Sequence, residues 1–163
     1  MSIAPQITLY RFLHQYGEGL LADIDAEQAV TPVAEGGHHP AWVIGHLAFV
    51  GGRGVAMLGG ESAVDADAWS PLFGIGSKPS PDASHYPGWD ELLGAWREAH
   101  AAADRVAETV SEARLDEPNP IERRRDVLPT VRDMAGFIFA SHEAVHLGQL
   151  SAWRRVHGRP PLF

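Results

Sequence analysis

Cysteine is absent from the 163-residue sequence. This absence excludes disulfide bonds, cysteine-ligated metal sites and a cysteine nucleophile. Any thiol chemistry would therefore need a thiol that arrives as a cosubstrate. The first residues also lack the basic and then apolar regions of a secretory signal. We therefore expect a cytoplasmic location, with which the absence of cysteine agrees.

Basic residues are few as well. Lys and Arg together number 13 against 21 Asp and Glu, so the formal net charge is −8. A nucleic-acid binder needs a basic face that replaces phosphate counterions, and a protein held at a membrane surface by charge needs a polybasic patch. The longest apolar stretch, 40–52, contains His46 and is too short to cross a bilayer. The sequence therefore argues against nucleic-acid and membrane partners.

Four segments carry apolar residues at the steps of three and four that mark amphipathic helices. They run over 5–25, 40–58, 87–114 and 130–157. No persuasive strand alternation and no internal repeat accompanies them. Helices of this length, joined by connections rich in helix breakers, predict an all-α fold of the four-helix-bundle type. We expect one domain over residues 1–163.

Two local patterns refine this prediction. Residues 61–87 form a long connection between the second and third helices, rich in Pro, Gly, Ser and Asp. Connections this long inside a compact domain are usually functional, so we expect this one to cover a pocket. The fourth helix has the clearest start, because Thr130 is suited to cap it and Asp133 follows three residues later, as in a capping box.

Two histidines lie four residues apart on the predicted fourth helix. His142 and His146 therefore share one face, with Cβ atoms about 5–6 Å apart, and two imidazoles at that separation can bind one metal ion. Gln149 lies on the same, otherwise apolar, face. Polar groups in an apolar stripe are costly unless they have partners. A metal ion would be one such partner, and hydrogen bonds to neighbouring side chains are the alternative.

A third histidine, His46, lies on the apolar second helix. Alone, it predicts a core histidine with a hydrogen-bonded ring. With His142 and His146 it would complete a site of three nitrogen atoms, and three protein ligands leave a coordination position open for water or substrate. Neutral imidazoles suit zinc, nickel, copper or iron, and we expect zinc or nickel.

Two further residues are candidates for substrate binding near this site. Arg53 lies seven residues after His46, on the same helical face, and could bind a carboxylate or phosphate; an arginine paired with a nearby acid is the alternative. Gln149 could orient a ligand or a bound water. Ordinary hydrogen bonding between helices explains Gln149 equally well.

Residues 142–146 also form the pattern H-E-x-x-H, in which zinc peptidases use the Glu as general base. Those enzymes usually take a third ligand further along the chain, and here only His157 follows, at the end of the same helix. Glu143 also points about 100° around the helix from His142. The peptidase interpretation is therefore weak, but Glu143 stays a candidate catalytic base.

Together these motifs resemble the DinB-like superfamily of metal-binding four-helix bundles. The resemblance is carried by 39–50 (HPAWVIGHLAFV), 72–87 (LFGIGSKPSPDASHYP) and 141–161 (SHEAVHLGQLSAWRRVHGRPP). It implies that His46, His142 and His146 bind a divalent metal. Relatives include bacillithiol S-transferases and mycothiol-dependent maleylpyruvate isomerases, which implies a low-molecular-weight thiol as cosubstrate.

Three functions stay open at this point. The chain could be a metal-dependent transferase or hydrolase that acts on a small-molecule substrate, a thiol S-transferase being one form of it. It could equally be a metal-binding or small-ligand-binding bundle without turnover. A bundle without metal, whose histidines are hydrogen-bonded in the core, is the third alternative. The sequence also leaves open whether the chain forms a homodimer.

Overall fold

The computed structural model describes residues 2–162 of the chain and shows an all-helical protein. The α-helices are α1 (Ala4–Leu21), α2 (Ala26–Ala29), α3 (Pro40–Met57), α4 (Ala66–Phe73), α5 (Trp89–Thr109), α6 (Glu112–Leu115), α7 (Val131–Gly136) and α8 (Glu143–Val156). A π-helical segment, Phe137–His142, joins α7 to α8, and 3-10 turns span Ala83–His85 and Glu122–Arg124. Within residues 2–162, strand-like pairing is limited to an isolated bridge between Pro118 and Thr130.

Helix α3 lies at the centre of the packing. It contacts α5, α4, α8 and the π-helical segment, while α1 contacts α5, α8 and the π-helical segment. Fifteen of the 18 residues of α3 are buried, as expected of a helix that is apolar on almost every side. A polar side chain on α3, such as that of His46, is therefore placed inside the protein.

Two apolar clusters flank the two ends of α3. The first includes Trp42, Leu47, Phe73, Trp96 and Trp153, and the second includes Val55, Val106, Ile138 and Phe139. Gly54 allows the close approach in the second cluster, because a Cβ atom there would press against Ile138 and Phe139. These contacts hold the π-helical segment against α3.

Side-chain caps set several helix starts. The capping box predicted at Thr130 and Asp133 is confirmed. Asp25 and Gln28 form a second capping box at the start of α2, which explains why the first helix ends at Leu21 rather than near residue 25. At the start of α3, the His39 side chain accepts a hydrogen bond from the Trp42 backbone amide.

The predicted all-α class is confirmed, but the picture of long helices with one plain loop is incomplete. The connection over 61–87 contains α4, capped by Asp65, and the 3-10 turn Ala83–His85. The third helix ends at Thr109, and the short α6 follows it. Among the residues described, no helix has both the length and the apolar character that a membrane crossing requires.

Candidate metal centre

Three histidines from separate parts of the chain meet at one point. His46 comes from α3, His142 ends the π-helical segment and His146 lies on α8. Each offers a ring nitrogen, and these nitrogen atoms all lie within 4.8 Å of one another. The Nε2 atoms of His46 and His142 are 3.1 Å apart. The structure thus brings together the three residues that the sequence proposed as ligands.

The His46 ring is held in one orientation. Its Nδ1–H donates to the Phe73 carbonyl at the end of α4, over 2.6 Å, so Nδ1 carries the proton and Nε2 presents its lone pair. The Trp42 ring stacks on it with centroids 4.8 Å apart, and the Trp42 Nε1–H donates to Ser77 Oγ. The 61–87 connection therefore positions His46 both directly and through Trp42.

Gln149 orients His146. Its Oε1 atom lies 3.0 Å from Nδ1 of His146 and 3.0 Å from Nδ1 of His38. An amide oxygen only accepts hydrogen bonds, so both imidazoles donate from Nδ1. Nε2 of His146 is then unprotonated when the ring is neutral, which is the state that a metal ligand requires.

His142 has few interactions beyond its neighbours in the cluster. Its buried Nδ1 has no hydrogen-bond partner within residues 2–162, and the Phe137 ring contacts its ring edge-to-face with centroids 5.8 Å apart. The π-helical segment that ends at His142 departs from regular α-helix, and such segments occur frequently at functional sites. Hydrogen bonding to the rest of the core therefore does not account for the position of His142.

All three imidazoles are neutral near pH 7. Burial is the main cause that lowers the pKa of His142 to about 3, and repulsion from His146 and His46 adds to it. Burial likewise lowers the pKa of His146 to about 4, with repulsion from His46 second. The pKa of His46 is also lowered, again chiefly by burial. The three rings are therefore uncharged, each with one nitrogen lone pair available, in the pH range where metals bind to imidazole.

The donor set fits a divalent transition metal. Two nitrogen atoms bound to one tetrahedral zinc ion, at about 2.0–2.1 Å each, lie about 3.3 Å apart. The observed separation of His46 Nε2 and His142 Nε2 is 3.1 Å. Without a shared proton or cation, two lone pairs at this distance would repel each other. Three neutral imidazoles could hold the ion and leave a coordination position for another molecule.

Glu143, the candidate base, faces a different set of groups. Its side chain is 2% exposed, and its Oε1 accepts hydrogen bonds from Trp96 Nε1 at 2.9 Å and His100 Nε2 at 3.2 Å. Tyr10 stacks on the same His100 ring with centroids 3.6 Å apart. Glu143 thus belongs to a buried polar cluster between α1, α5 and α8, and it makes no hydrogen bond to the three clustered histidines.

Arg53 is exposed on α3, with its guanidinium 5.7 Å from the centroid of the Phe49 ring. An ion pair with a nearby acid was the alternative to a role in binding. Within residues 2–162, Arg53 forms no such ion pair. No hydrogen bond or ring contact in that range joins it to the three clustered histidines. Its role in substrate binding therefore stays a prediction.

Three residues near the cluster were missed by sequence reasoning. His38, in the loop before α3, lies within hydrogen-bond distance of Gln149 and stacks on Trp42. Phe137 contacts His142, and Arg124 lies over Phe137. None of the three follows a helical repeat with the histidines. The only signal in the sequence was composition. A pair of histidines precedes the apolar second predicted helix, and a run of three arginines precedes the fourth predicted helix.

The sequence model of the DinB superfamily matches residues 10–150, which is most of the chain and includes all three clustered histidines. No curated protein and no solved structure matches significantly.

Proposed function

The chain belongs to the DinB superfamily, and we propose that it binds one divalent transition metal through His46, His142 and His146. The observation that carries the proposal is the approach of their ring nitrogens, all within 4.8 Å. The hydrogen bonds from Nδ1 of His46 and of His146 support it, because they leave Nε2 unprotonated on both rings. In this proposal the long helices form the four-helix bundle that the family resemblance implies.

Zinc or nickel is the metal we propose. All three ligands are neutral imidazoles, which suit zinc, nickel, copper and iron. No carboxylate makes a hydrogen bond or ion pair with the three rings within residues 2–162, so hard ions such as magnesium and calcium, which prefer oxygen ligands, are disfavoured.

We further propose that the protein is a metal-dependent transferase that joins a low-molecular-weight thiol to a small molecule. A bound divalent metal lowers the pKa of a coordinated thiol or water. The chain supplies no thiol of its own, since it contains no cysteine. Its residues would hold the ligand rings and exclude water: the Phe73 carbonyl and Gln149 orient the imidazoles, and Trp42 covers one of them.

Hydrolysis is less well supported than transfer. Metal hydrolases with the H-E-x-x-H pattern use its glutamate as general base on the metal-bound water. The candidate base, Glu143, is buried and accepts hydrogen bonds from Trp96 and His100 instead. The same observation favours the second candidate function, a protein that binds a metal or small ligand without turnover.

Thermal unfolding with and without metal tests the binding proposal. A metal that binds only the folded state stabilises it by about 2.7 kcal/mol when its free concentration is 100 times Kd. We expect zinc to raise the melting temperature of the wild type and not that of His146→Ala. Equal shifts in both proteins would place the metal elsewhere.

Turnover separates the two candidate functions. The metal-loaded protein would be mixed with a small thiol and 1-chloro-2,4-dinitrobenzene, where the sulfur forms a C–S bond, chloride leaves and the thiol proton passes to solvent. A rate above that of the free thiol, abolished by a chelator and by His146→Ala, would support transfer. No rate enhancement with a panel of thiols and electrophiles would support binding without turnover.

A further inference from the structure

An arginine stands beside the histidine cluster with an aromatic ring between them. The guanidinium of Arg124, at the end of the 3-10 turn Glu122–Arg124, lies 5.8 Å from the centroid of the Phe137 ring. Phe137 in turn contacts His142 edge-to-face, with centroids 5.8 Å apart. Arg124 is exposed, so a molecule arriving from solvent can reach it.

Within residues 2–162, Arg124 has no carboxylate partner, whereas most of the other arginines have one. The chain has an excess of acids, with a net charge of −8, and its other arginines are mostly paired. Ion pairs to Asp or Glu are formed by Arg11, Arg97, Arg105, Arg114, Arg125, Arg132, Arg154 and Arg159. Within residues 2–162, the side chain of Arg124 forms no hydrogen bond or ion pair, so its guanidinium N–H groups are free to bind a ligand.

The charge of the proposed metal site also favours a negatively charged ligand. Three neutral imidazoles would leave both charges of a bound divalent ion uncompensated. Glu143 directly follows His142, but its carboxylate is 2% exposed and accepts hydrogen bonds from Trp96 and His100 instead. A ligand that reached the open coordination position would therefore meet positive charge from the ion and, on the Phe137 side, from Arg124.

We propose that Arg124 is a substrate-binding residue that selects small molecules bearing a carboxylate. The planar guanidinium can donate two parallel hydrogen bonds to a carboxylate, an arrangement that lysine cannot reproduce. The Phe137 ring holds the cation by a cation–π contact while leaving the edge of the guanidinium exposed. This inference rests on the proposed metal site, because the selected molecule also binds there.

Three thiols of nearly equal size provide the test. They are 3-mercaptopropionate, 2-mercaptoethanol and cysteamine, which carry a carboxylate, a neutral hydroxyl and an ammonium group. Cobalt would replace the native metal, and the absorption that appears when a thiolate binds to Co²⁺ would give a Kd for each. The carboxylate makes its own thiol the least acidic of the three, so a preference for 3-mercaptopropionate would not arise from a greater supply of thiolate.

We expect wild-type protein to bind 3-mercaptopropionate at least about tenfold more tightly than 2-mercaptoethanol, as suits a charge-assisted hydrogen bond. Arg124→Gln should remove most of this preference, since only the charge of the ion is left, and should leave the Kd of 2-mercaptoethanol unchanged, whereas Arg124→Lys should retain more of the preference. Arg123→Gln removes the adjacent charge and is the matched control, which should keep the full preference. Unchanged Co²⁺ spectra before thiol addition would show that each variant retains the fold and the metal site.

The outcomes separate this inference from the proposal it rests on. If Co²⁺ fails to bind the wild type, the metal site itself is refuted and this inference with it. If Co²⁺ binds but the three thiols have equal affinities, or if Arg124→Gln keeps the wild-type preference, the role of Arg124 is refuted while the metal site stands. If Arg123→Gln loses the preference to the same extent as Arg124→Gln, the role of Arg124 is also refuted. The preference would then come from the total positive charge of this region and not from a contact with Arg124.

Discussion

The Nε2 atoms of His46 and His142 lie 3.1 Å apart, although the two residues are 96 positions apart in the sequence. The other ring nitrogen of His46 donates to a backbone carbonyl, and that of His142 has no partner within residues 2–162. The two rings therefore face each other through the atoms that can bind a metal. Burial lowers the pKa of both rings, and repulsion from His146 and His46 lowers that of His142 further.

If His142 serves to bind a metal and not to stabilise the fold, its replacement should not lower the stability of the metal-free protein. We predict that His142→Leu leaves the free energy of unfolding of the metal-free protein unchanged or raises it by up to about 1 kcal/mol, because a buried polar atom without a partner is removed. The same substitution should abolish stabilisation by zinc. Urea unfolding with and without zinc measures both effects.

His100→Leu is the matched comparison for that experiment. His100 donates to the buried Glu143, so its loss should lower the free energy of unfolding by about 1–3 kcal/mol while stabilisation by zinc persists. If the free energy of unfolding of metal-free His142→Leu fell by a similar amount, His142 would be a structural histidine.

Removing the acceptor of His146 should weaken metal binding. Gln149→Leu takes away the oxygen to which the His146 Nδ1–H donates, so the ring loses its fixed tautomer and orientation. Loss of such an interaction typically lowers metal affinity about 10–100-fold. Zinc affinity by competition with a chromophoric chelator measures this, and Gln15→Leu, on the exposed part of α1, should not change it. An unchanged affinity in Gln149→Leu would contradict the role given to Gln149.

Two glycine substitutions should act in opposite directions. A Cβ atom on Gly45 would overlap the buried Phe73 ring, whose backbone carbonyl holds His46. Gly45→Ala should therefore cost about 1–3 kcal/mol of stability and weaken zinc binding. Gly94, exposed within α5, has no atom near its Cβ position, so Gly94→Ala should add about 0.5–1 kcal/mol. Urea unfolding measures both, and a stabilising Gly45→Ala would show that α4 moves aside freely.

The ion pair between Arg154 on α8 and Asp23, just after α1, predicts that the stability of the protein depends on pH. Arg154 is 4% exposed; it donates to the Leu20 carbonyl and to Asp23, and this contact holds the pKa of Asp23 below its ordinary value of 3.8. An acid with a lowered pKa contributes stability above its unfolded pKa and loses it as the pH falls through its folded pKa.

Asp23→Asn should consequently lower the free energy of unfolding at pH 7 by about 1 kcal/mol, a figure kept small because the half-exposed Asp23 is screened by solvent. The difference from wild type should shrink as the pH drops below 3.8. Urea unfolding across pH measures it, with Asp126→Asn, on an exposed carboxyl, as the control. A difference that stayed constant down to acid pH would contradict the ion-pair explanation.

The parts of this site that follow helical periodicity could be predicted from the sequence. His142 and His146 share a helical face because they are four residues apart, and His46 is buried because the residues around it are apolar. The cap at Thr130 also follows from local chemistry. These inferences need only the helical repeat and the preference of apolar side chains for the interior.

The remaining features depend on contacts between distant segments. The partners of Glu143 come from α5, and no spacing in the sequence shows that Trp96 and His100 face it. The acceptor for His46 is a backbone carbonyl of α4, a helix that was not predicted, in part because Pro71 lies inside it. The π-helical segment Phe137–His142 carries no residue pattern in the sequence that distinguishes it from regular α-helix.

Metal content per chain tests the central claim most directly. The protein would be purified without a polyhistidine tag and measured by plasma mass spectrometry after reconstitution with zinc or nickel, beside His146→Ala and the exposed control His85→Ala. We predict close to one equivalent in the wild type and in His85→Ala, and almost none in His146→Ala. Wild-type protein that stays free of metal after reconstitution, or His146→Ala that retains a full equivalent, would contradict the account.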